Sequence, residues 1–509
     1  MSMLPMPMPM PMPMPMPSLL PPLTREIDEH AFDAAGVAFF DLDRTLLDGY
    51  SILPFLSEAI ASGMIRPGRL LEQAKAVFEE GRDGLGPLLE RFIASLAGER
   101  EAILEALGER VFEKHLASRI HPEARALVRA HRARGHRVVI VTSATRYQAE
   151  PVARALGIAR GDLLCTRLVV DDSGRLTGKW YLPGCWNAGK RLRARAWLRR
   201  HGGRLDNAWF YTDSFEDLPL LERVGHPRAV NPDAALERRA RLAGWPVLRF
   251  RTRRPTIESV VRTSLCVGSL YGSMLVGASR LLRGGSVRDA VDVATDTWSR
   301  TGLAFSGVRL RINGEAYLRG RPAVVVFNHQ SALDALIMTR LLRQDFTGIC
   351  KQELQRDPLV GAAFRAAGMV FVDRSAKDGA AQLAPALAAL RAGRTLAIAP
   401  EGQRSYGTRP LAFKRGAFYL ARRARVPLIP VVIHNAADVL PRGSALVRGD
   451  VPIEVTVLPP RDAASWRARD LGAHAEALHA QYLELLGFAP SRVMSGQGPA
   501  TEDDLAIAV

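Results

Sequence analysis

GVAFFDLDRTLL, residues 36–47, decides the fold of the front half of the chain. An apolar run from Val37 to Phe40 ends abruptly at two carboxylates, Asp41 and Asp43, with Leu42 between them. A short apolar run bounded in this way reads as a buried strand. Alternate side chains of an extended chain emerge on opposite faces, so Asp41 and Asp43 leave the strand end on one side. HRVVIVT (136–142), AWFYT (208–212) and PVLRF (246–250) repeat the pattern, and helical stretches such as 146–157 and 189–200 lie between them. Strand alternating with helix predicts a mainly parallel sheet covered on both faces, a Rossmann-like α/β core. The stretch 48–118 breaks the rhythm. It contains helical patterns such as RLLEQAKAVFEE (69–80) and no strand signal, so it reads as a helical insertion after the first strand. An insertion there borders the crevice where open α/β sheets bind ligands, which suits a lid.

Two carboxylates side by side can divide phosphoryl transfer between them. One attacks phosphorus while the other gives a proton to the leaving oxygen. An Asp-x-Asp pair alone is weak, because such pairs also occur at surfaces and caps. The rest of the chain strengthens it. TDSFED (212–217) adds Asp213 and Asp217 after another apolar strand, Thr142 ends HRVVIVT, and Lys190 opens a basic helical stretch. A nucleophile, an acid, further metal-binding carboxylates, a hydroxyl and a lysine form a complete inventory for hydrolysing a phosphomonoester. Magnesium would bridge nucleophile and phosphate, and Lys190 would offset negative charge.

A second signature is NHQSALD, residues 328–334, with His329 five positions before Asp334. On one continuous helix the two side chains would diverge by about 140°. They meet if His329 lies in the loop after AVVVF (323–327) and Asp334 lies in the first turn of the next helix, with Ser331 as its N-cap. Asp334 then fixes the imidazole tautomer and leaves the other nitrogen as a base. No GxSxG elbow is present, which disfavours a hydrolase triad. AVVVF, GMVFV (368–372), TLAIA (395–399), PLIPVVI (427–433) and IEVTV (453–457) read as strands of a second α/β unit. Arg374, Glu401, Gly402 and Arg404 follow two of these strands. Basic groups at strand ends can cradle a phosphate beside the histidine.

The chain has 509 residues and a formal charge of +17, carried mostly by arginines spread along its length. That length suits two or three cores. The charge suits anionic membrane lipids and phosphorylated ligands. With no zinc finger, helix-turn-helix or interleaved aromatic-basic pattern, nucleic acid is not an expected partner. The four cysteines have no CxxC spacing, which disfavours a zinc knuckle or redox dithiol. The start, MSMLPMPMPMPMPMPMPSLLPP, alternates proline too often for helix or strand. Residues 1–28 are expected to be a disordered tail and 491–509 a flexible one. TSLCVGSLYGSMLVGAS (263–279) carries no charge and is bracketed by arginines including Arg262 and Arg280. Its length is at the lower limit for spanning a bilayer, and Gly268 and Gly272 have the spacing of a close helix contact. It reads as a membrane-inserted, interfacial or buried helix within a basic linker, 251–302.

DLDRTLL (41–47), VIVTSAT (139–145), Lys190, YTDSFEDLPLL (211–221) and VNPD (230–233) stand in the order found in the haloacid dehalogenase superfamily. The chain resembles its phosphoserine-phosphatase-like branch over roughly 35–245, within an expected unit of 29–250. The resemblance implies that Asp41 is the nucleophile and forms an aspartyl-phosphate. It makes Asp43 general acid and then base, with its backbone carbonyl on Mg2+. Asp213 completes the metal ligands, Asp217 supports the acidic shell, Thr142 binds phosphate, and Lys190 orients both. The insertion resembles that family's cap. Thr142 stands where serine is common, and Arg44 where many relatives have glycine.

NHQSALD, GMVFVDRS (368–375), APEGQRS (399–405) and VPLIPVV (426–432) together resemble the blocks of the glycerolipid acyltransferases, over about 305–460 within an expected unit of 303–490. This implies that His329 deprotonates an acceptor hydroxyl and that Asp334 orients it. Arg374 and the Glu401–Gly402 turn, with Arg404, are implied to bind acceptor phosphate. Pro430 shapes the acyl side, and Lys351 matches a frequent basic position. The third block reads EGQRS where EGTRS is usual. The combined expectation is a bifunctional enzyme of phospholipid biosynthesis at the cytoplasmic face of the cell membrane. It would acylate 1-acyl-sn-glycerol-3-phosphate (lysophosphatidate) from acyl-CoA or acyl-ACP and hydrolyse a phosphomonoester. Two readings stand beside it: a front half that only senses phosphate, and a phosphatase for an unrelated soluble substrate. A basic nucleic-acid-binding protein is the third and weakest.

Overall fold

The computed structural model describes residues 21–64, 91–250, 256–356, 360–372, 379–448, 452–488 and 506–507. The helical pattern expected at 69–80, residues 1–20 of the expected tail, and Arg374 lie outside the described residues.

The front unit is built on β1 (Val37–Phe40), β2 (Arg137–Thr145) and β3 (Leu163–Thr166), followed by a hairpin of β4 (Leu168–Val170) and β5 (Leu176–Leu182), then β6 (Ala208–Thr212), β7 (His226–Val230) and β8 (Val247–Leu248). Six of these strands form one sheet in the order β3-β2-β1-β6-β7-β8, and every pair in it is parallel. All four residues of β1 and all five of β6 are buried, as expected where helices cover both faces. The chain runs outward from β1 on one side through β2 and β3, then returns to β6 on the other. The crevice at this reversal lies beyond the carboxyl end of β1, where Asp41 follows Phe40.

Five helices fix what surrounds that crevice. The expected tail through residue 28 is shorter than the sequence suggested, because α1 spans Pro21–Glu29. Proline is tolerated in a first helical turn, and Thr24 and Ile27 are buried, so this stretch packs on the front core. The insertion contributes α2 (Ile52–Ala61) and α3 (Glu101–Val111), whose Phe55, Leu104 and Leu107 belong to the same apolar cluster as Phe40 and Leu42. A bridge between Leu47 and Ile120 closes its base, and α4 (Pro122–Ala133) follows directly. Further on, α5 (Ala188–His201) brings Lys190 back to the sheet.

Between the two units in sequence, α6 (Ile257–Leu282) and α7 (Val287–Phe305) pack as a helical hairpin. Only 22% of the apolar window of α6 is buried. Its packed face is small: Cys266, Ser269, Ser273 and Gly277. A Cβ at Gly277 would stand 2.5 Å from Ala290 O, so glycine permits the close approach. A Cβ at Gly268 or Gly272, expected at the contact, would meet nothing within 4 Å among the described residues. The helical turn of about 100° per residue carries them onto the outer side.

The second sheet contains β9 (Leu310–Asn313), β10 (Val324–Phe327), β11 (Phe346–Lys351), β12 (Val370–Val372), β13 (Thr395–Ile398), β14 (Leu428–Ile433) and β15 (Ile453–Val457). Its order is β12-β11-β13-β10-β14-β15-β9, parallel except between β14 and β15. Central β10 ends at the loop that carries His329, and α8 (Asp334–Leu342) begins five residues later. Pro430 pairs with Val326 across β10 and β14. Beside it, Tyr482 of α9 (Leu471–Leu485) donates its hydroxyl to Val326 O and accepts from Val431 N, bracing both strands. The tail expected to be flexible beyond 491 includes one described element, β16 (Ala506–Ile507), paired antiparallel with β5. The edge of a two-stranded ribbon offers unpaired backbone groups for such an addition.

Candidate active sites

The front site assembles at the carboxyl ends of β1, β2 and β6. Lys190 Nζ stands 2.7 Å from Asp41 Oδ1 and 2.8 Å from Asp217 Oδ2. Thr212 donates to the same Asp217 oxygen at 2.5 Å, which holds this carboxylate as a fixed support for the lysine. Asp43 accepts from Ser51 N at 2.8 Å and Ser51 Oγ at 3.2 Å, so the start of the insertion orients it. Asp213 lies 3.0 Å from Arg44, and Thr142 is buried at the end of β2 with Ala144 N donating to its hydroxyl at 3.1 Å. Arg44 adopts φ +56, a left-handed conformation that glycine reaches more cheaply. Its guanidinium reaches Asp213 from there.

The electrostatics are those of crowded acids. Burial, reinforced by Asp217 and opposed by Lys190, pushes Asp41 up to about 7. Burial and the neighbouring Asp41 charge push Asp213 up to about 8. Burial lifts Asp43 to about 6 despite the two bonds from Ser51. Burial opposes the charge on Lys190, but Asp217 and Asp41 outweigh it and hold the lysine above its ordinary range. Buried carboxylates short of positive charge suit a hard divalent cation, and all three carry oxygen donors. Asp41, Asp43 and Asp213 therefore fit Mg2+.

In the second site, Asp334 Oδ2 accepts from three donors: His329 Nδ1 at 2.8 Å, Gln330 N at 2.8 Å and Ser331 N at 2.9 Å. Asp334 is fully buried, whereas the His329 side chain keeps 27% exposure. The acid thus fixes a ring whose other nitrogen faces open space. Ser331 is not the helix cap expected from sequence. Its hydroxyl donates to Leu440 O and accepts from Leu333 N, while Asp334 itself ties down the turn. Asn328 bonds both N and O of Ile433 and continues the sheet past the strand end. His329 lines a cavity of about 1530 Å³ whose walls include Ser273, Gly277 and Trp298 of the helical hairpin, together with Arg404 and Arg442.

Glu401 departs from the expected phosphate contact. Its two oxygens accept from His329 N and Leu411 N, both at 2.7 Å, and the side chain is buried. It braces the histidine loop. Burial pushes it up to about 8, against those two amide bonds. Gly402 has φ +74, and a Cβ there would meet Lys414 Nζ at 2.9 Å. Lys351 ends β11, and Pro430 is buried in β14. The structure therefore gathers His329, Asp334, Glu401, Gly402 and Arg404 at one end of the second sheet, with Pro430 in the strand beside them.

A family model for haloacid dehalogenase-like hydrolases matches residues 38–222, and one for acyltransferases matches 309–434. A histidinol-phosphatase of Neisseria meningitidis is 31% identical over 42% of this chain and 99% of its own length. The phosphoserine phosphatase SerB1 of Mycobacterium tuberculosis is 32% identical over 49% of this chain and 82% of its own. The chain belongs to the haloacid dehalogenase-like hydrolases. Its phosphatase domain is fused to an acyltransferase domain. A 1-acyl-sn-glycerol-3-phosphate acyltransferase of Saccharomyces cerevisiae is 30% identical over 36% of this chain, which spans 63% of that relative.

Several residues that complete the two domains are not among those singled out from the sequence. Ser51 holds Asp43 from the phosphatase insertion, yet GYSI (49–52) looks like any helix start. Thr212 beside Asp213 was discoverable, because a hydroxyl next to the acidic run TDSFED can serve Asp217. Arg442 reaches the acyltransferase loop from far along the chain and belongs to none of the four blocks.

Proposed function

We propose that the chain is a bifunctional enzyme of phospholipid biosynthesis. Its acyltransferase domain transfers an acyl group from acyl-CoA or acyl-ACP to 1-acyl-sn-glycerol-3-phosphate, giving phosphatidate. Its phosphatase domain hydrolyses a phosphomonoester with Mg2+. The observation that carries the first reading is the His329–Asp334 bond beside a cavity of about 1530 Å³. With Nδ1 bound to Asp334, His329 Nε2 takes the acceptor hydroxyl proton. The oxygen attacks the thioester carbonyl, the carbon–sulfur bond breaks, and the departing thiolate recovers the proton from the imidazolium. The apolar stretch of the cavity suits an acyl chain. Arg404, and from sequence Arg374 and Lys351, supply positive charge for the acceptor phosphate.

In the phosphatase domain, Asp41 attacks phosphorus while Asp43 protonates the leaving oxygen, and an aspartyl-phosphate forms. Asp43, now ionised, takes a proton from the water that releases phosphate and regenerates Asp41. Thr142 and Lys190 bind the transferred group, and Asp217 holds Lys190. Asp41, Asp213 and the Asp43 carbonyl would hold Mg2+, which when bound offsets the charge gathered on phosphate and carboxylates. The pairing of Asp41 with Lys190 supports this reading. The exposed apolar side of α6, with Ile257 87%, Leu275 74% and Leu282 89% exposed, supports seating on the cytoplasmic face of an anionic membrane.

The test assays one preparation twice. Purified protein in vesicles should convert lysophosphatidate and acyl-CoA to phosphatidate, and should release phosphate from a phosphomonoester when Mg2+ is present. Absence of phosphatidate formation with either donor would overturn the acyltransferase reading.

A further inference from the structure

The two domains meet at the loop that supports His329. Arg125 of α4, in the phosphatase domain, is only 5% exposed. Its Nε lies 3.2 Å from Asp438 Oδ1 as an ion-pair contact, and its Nη1 reaches Thr408 Oγ1 at 3.5 Å. Gly407 packs against the same guanidinium: a Cβ there would come within 3.3 Å of it. Next to it, Tyr406 packs on the phosphatase core. Arg442 stacks 4.0 Å over the Tyr406 ring and donates to Arg404 O. Residues 404–408 are thus held against the phosphatase domain by the buried charge of Arg125 and by the loop's own Tyr406 ring.

The same loop is laced to the histidine at its other end. Ser405 N donates to His329 O at 2.8 Å, and Glu401 joins His329 N to Leu411 N. On the phosphatase side, α4 starts from backbone bonds to the segment after Asp41 and Asp43: His121 N to Leu46 O at 2.9 Å, and Asp48 N to Arg119 O at 2.8 Å. A buried guanidinium is strongly disfavoured without a partner, so Arg125 favours the arrangement in which Asp438 faces it. A continuous set of packed and bonded groups runs from one candidate site to the other.

We propose that Arg125 is a positioning residue for acyl transfer: through Thr408 it holds the 401–411 loop, through Asp438 it holds the 436–439 turn whose Ala437 N donates to Gln330 beside the histidine, and between them they keep His329 in working geometry. The phosphatase domain is then part of the acyltransferase site whether or not it turns over. This inference rests on the acyltransferase reading above. It requires no change of conformation, only that the loop loosens when its anchor is removed.

The test uses full-length Arg125→Ala, Arg125→Lys and Asp438→Asn. Steady-state acyl transfer to lysophosphatidate, phosphate release and amide hydrogen exchange are measured on each. Arg125→Ala should lower acyl-transfer kcat roughly three- to thirtyfold, the range of coupling through such networks, with phosphate release unchanged. Exchange at the Ser405 and Leu411 amides should quicken, Arg125→Lys should recover part of both effects, and Asp438→Asn should reproduce them. Phosphate release at the wild-type level shows that the front domain is folded in each variant. Wild-type acyl transfer and wild-type protection in Arg125→Ala would overturn the proposal. A global loss of protection, with kcat per folded molecule unchanged, would reduce the pair to a structural contact and overturn it too. Should the wild-type protein fail to acylate lysophosphatidate, the acyltransferase reading falls alone, because the exchange measurement still reports whether Arg125 holds the loop.

Discussion

Lys190 Nζ lies 2.7 Å from Asp41 Oδ1, and the two side chains are 5% and 8% exposed. A buried carboxylate this close to a buried ammonium is kept ready to ionise without solvent. When phosphate enters, the same ammonium can turn part of its charge to the incoming oxygens. Asp217 holds it from the other side throughout.

Asp41→Asn keeps the shape of that side chain and removes its nucleophilic charge. Phosphate release should fall on the order of a thousandfold or more, with acyl transfer retained. Trapping phosphate covalently on the wild-type protein, and finding it on Asp41 by mass spectrometry, gives the direct readout. An Asp41→Asn protein that still released phosphate at the normal rate would end the assignment.

Chelation separates the two chemistries by another route. EDTA should abolish phosphate release, and added Mg2+ should restore it, because burial pushes Asp41, Asp43 and Asp213 up towards neutrality, and a divalent cation would let them ionise together. Acyl transfer should persist in EDTA, since His329 and Asp334 need no metal. Loss of both activities on chelation would contradict the separate assignment.

His329→Ala should stop acyl transfer while the protein stays folded, because a 27% exposed loop side chain contributes little to packing. Asp334→Asn is the sharper variant. Its amide can no longer accept from Nδ1, Gln330 N and Ser331 N through one charged oxygen, so the ring loses both tautomer and orientation. Acyl transfer should drop on the order of 10²- to 10⁴-fold, as loss of a general base's function does. Near-normal turnover in either variant would make the pair a structural bond.

The centre of both folds was legible because β1 and β10 are short, fully apolar runs rich in β-branched and aromatic residues and stopped by polar loops, as buried parallel strands are. Asp41, Asp43 and His329 follow those strands directly, so finding the strand finds the residue. Legibility fails where structure depends on distant partners. The hairpin β4–β5 and the strands β9 and β11 are half-buried or short, and their sequences carry no clean period. Glu401 reads as a ligand-binding acid, yet its oxygens are spent on backbone amides seventy-two and ten residues away in sequence. Gly268 and Gly272 have the right spacing for a helix contact but lie on the wrong face, which only the position of α7 decides.

Membrane seating should depend on the outer face of α6. Leu275→Asp places a charge at a position 74% exposed, where it disturbs no packing. Sedimentation with anionic vesicles should weaken, while phosphate release in solution stays normal. Unchanged sedimentation would mean that another surface carries the attachment.

His434 makes acid stability testable at the domain junction. It follows β14, and Nε2 lies 2.9 Å from Thr456 Oγ1. Burial, with the Arg129 guanidinium nearby, pushes its pKa down from the ordinary 6.5 to about 4. The unfolded chain therefore binds a proton on this residue below about pH 6.5, whereas the folded chain refuses it until about pH 4. Between those values the unfolded state carries more protons, so stability falls as the solution is acidified. The stabilisation is complete at neutral pH and is lost as pH drops through the folded value. Its size is at most about 3 kcal/mol, given 1.36 kcal/mol for each pKa unit. His434→Gln can keep a hydrogen bond to Thr456 and cannot titrate. Thermal unfolding of both proteins should give a Tm difference at pH 5 that favours the variant relative to the difference at pH 7.5. A difference that stays constant across this range would mean that His434 titrates alike in both states.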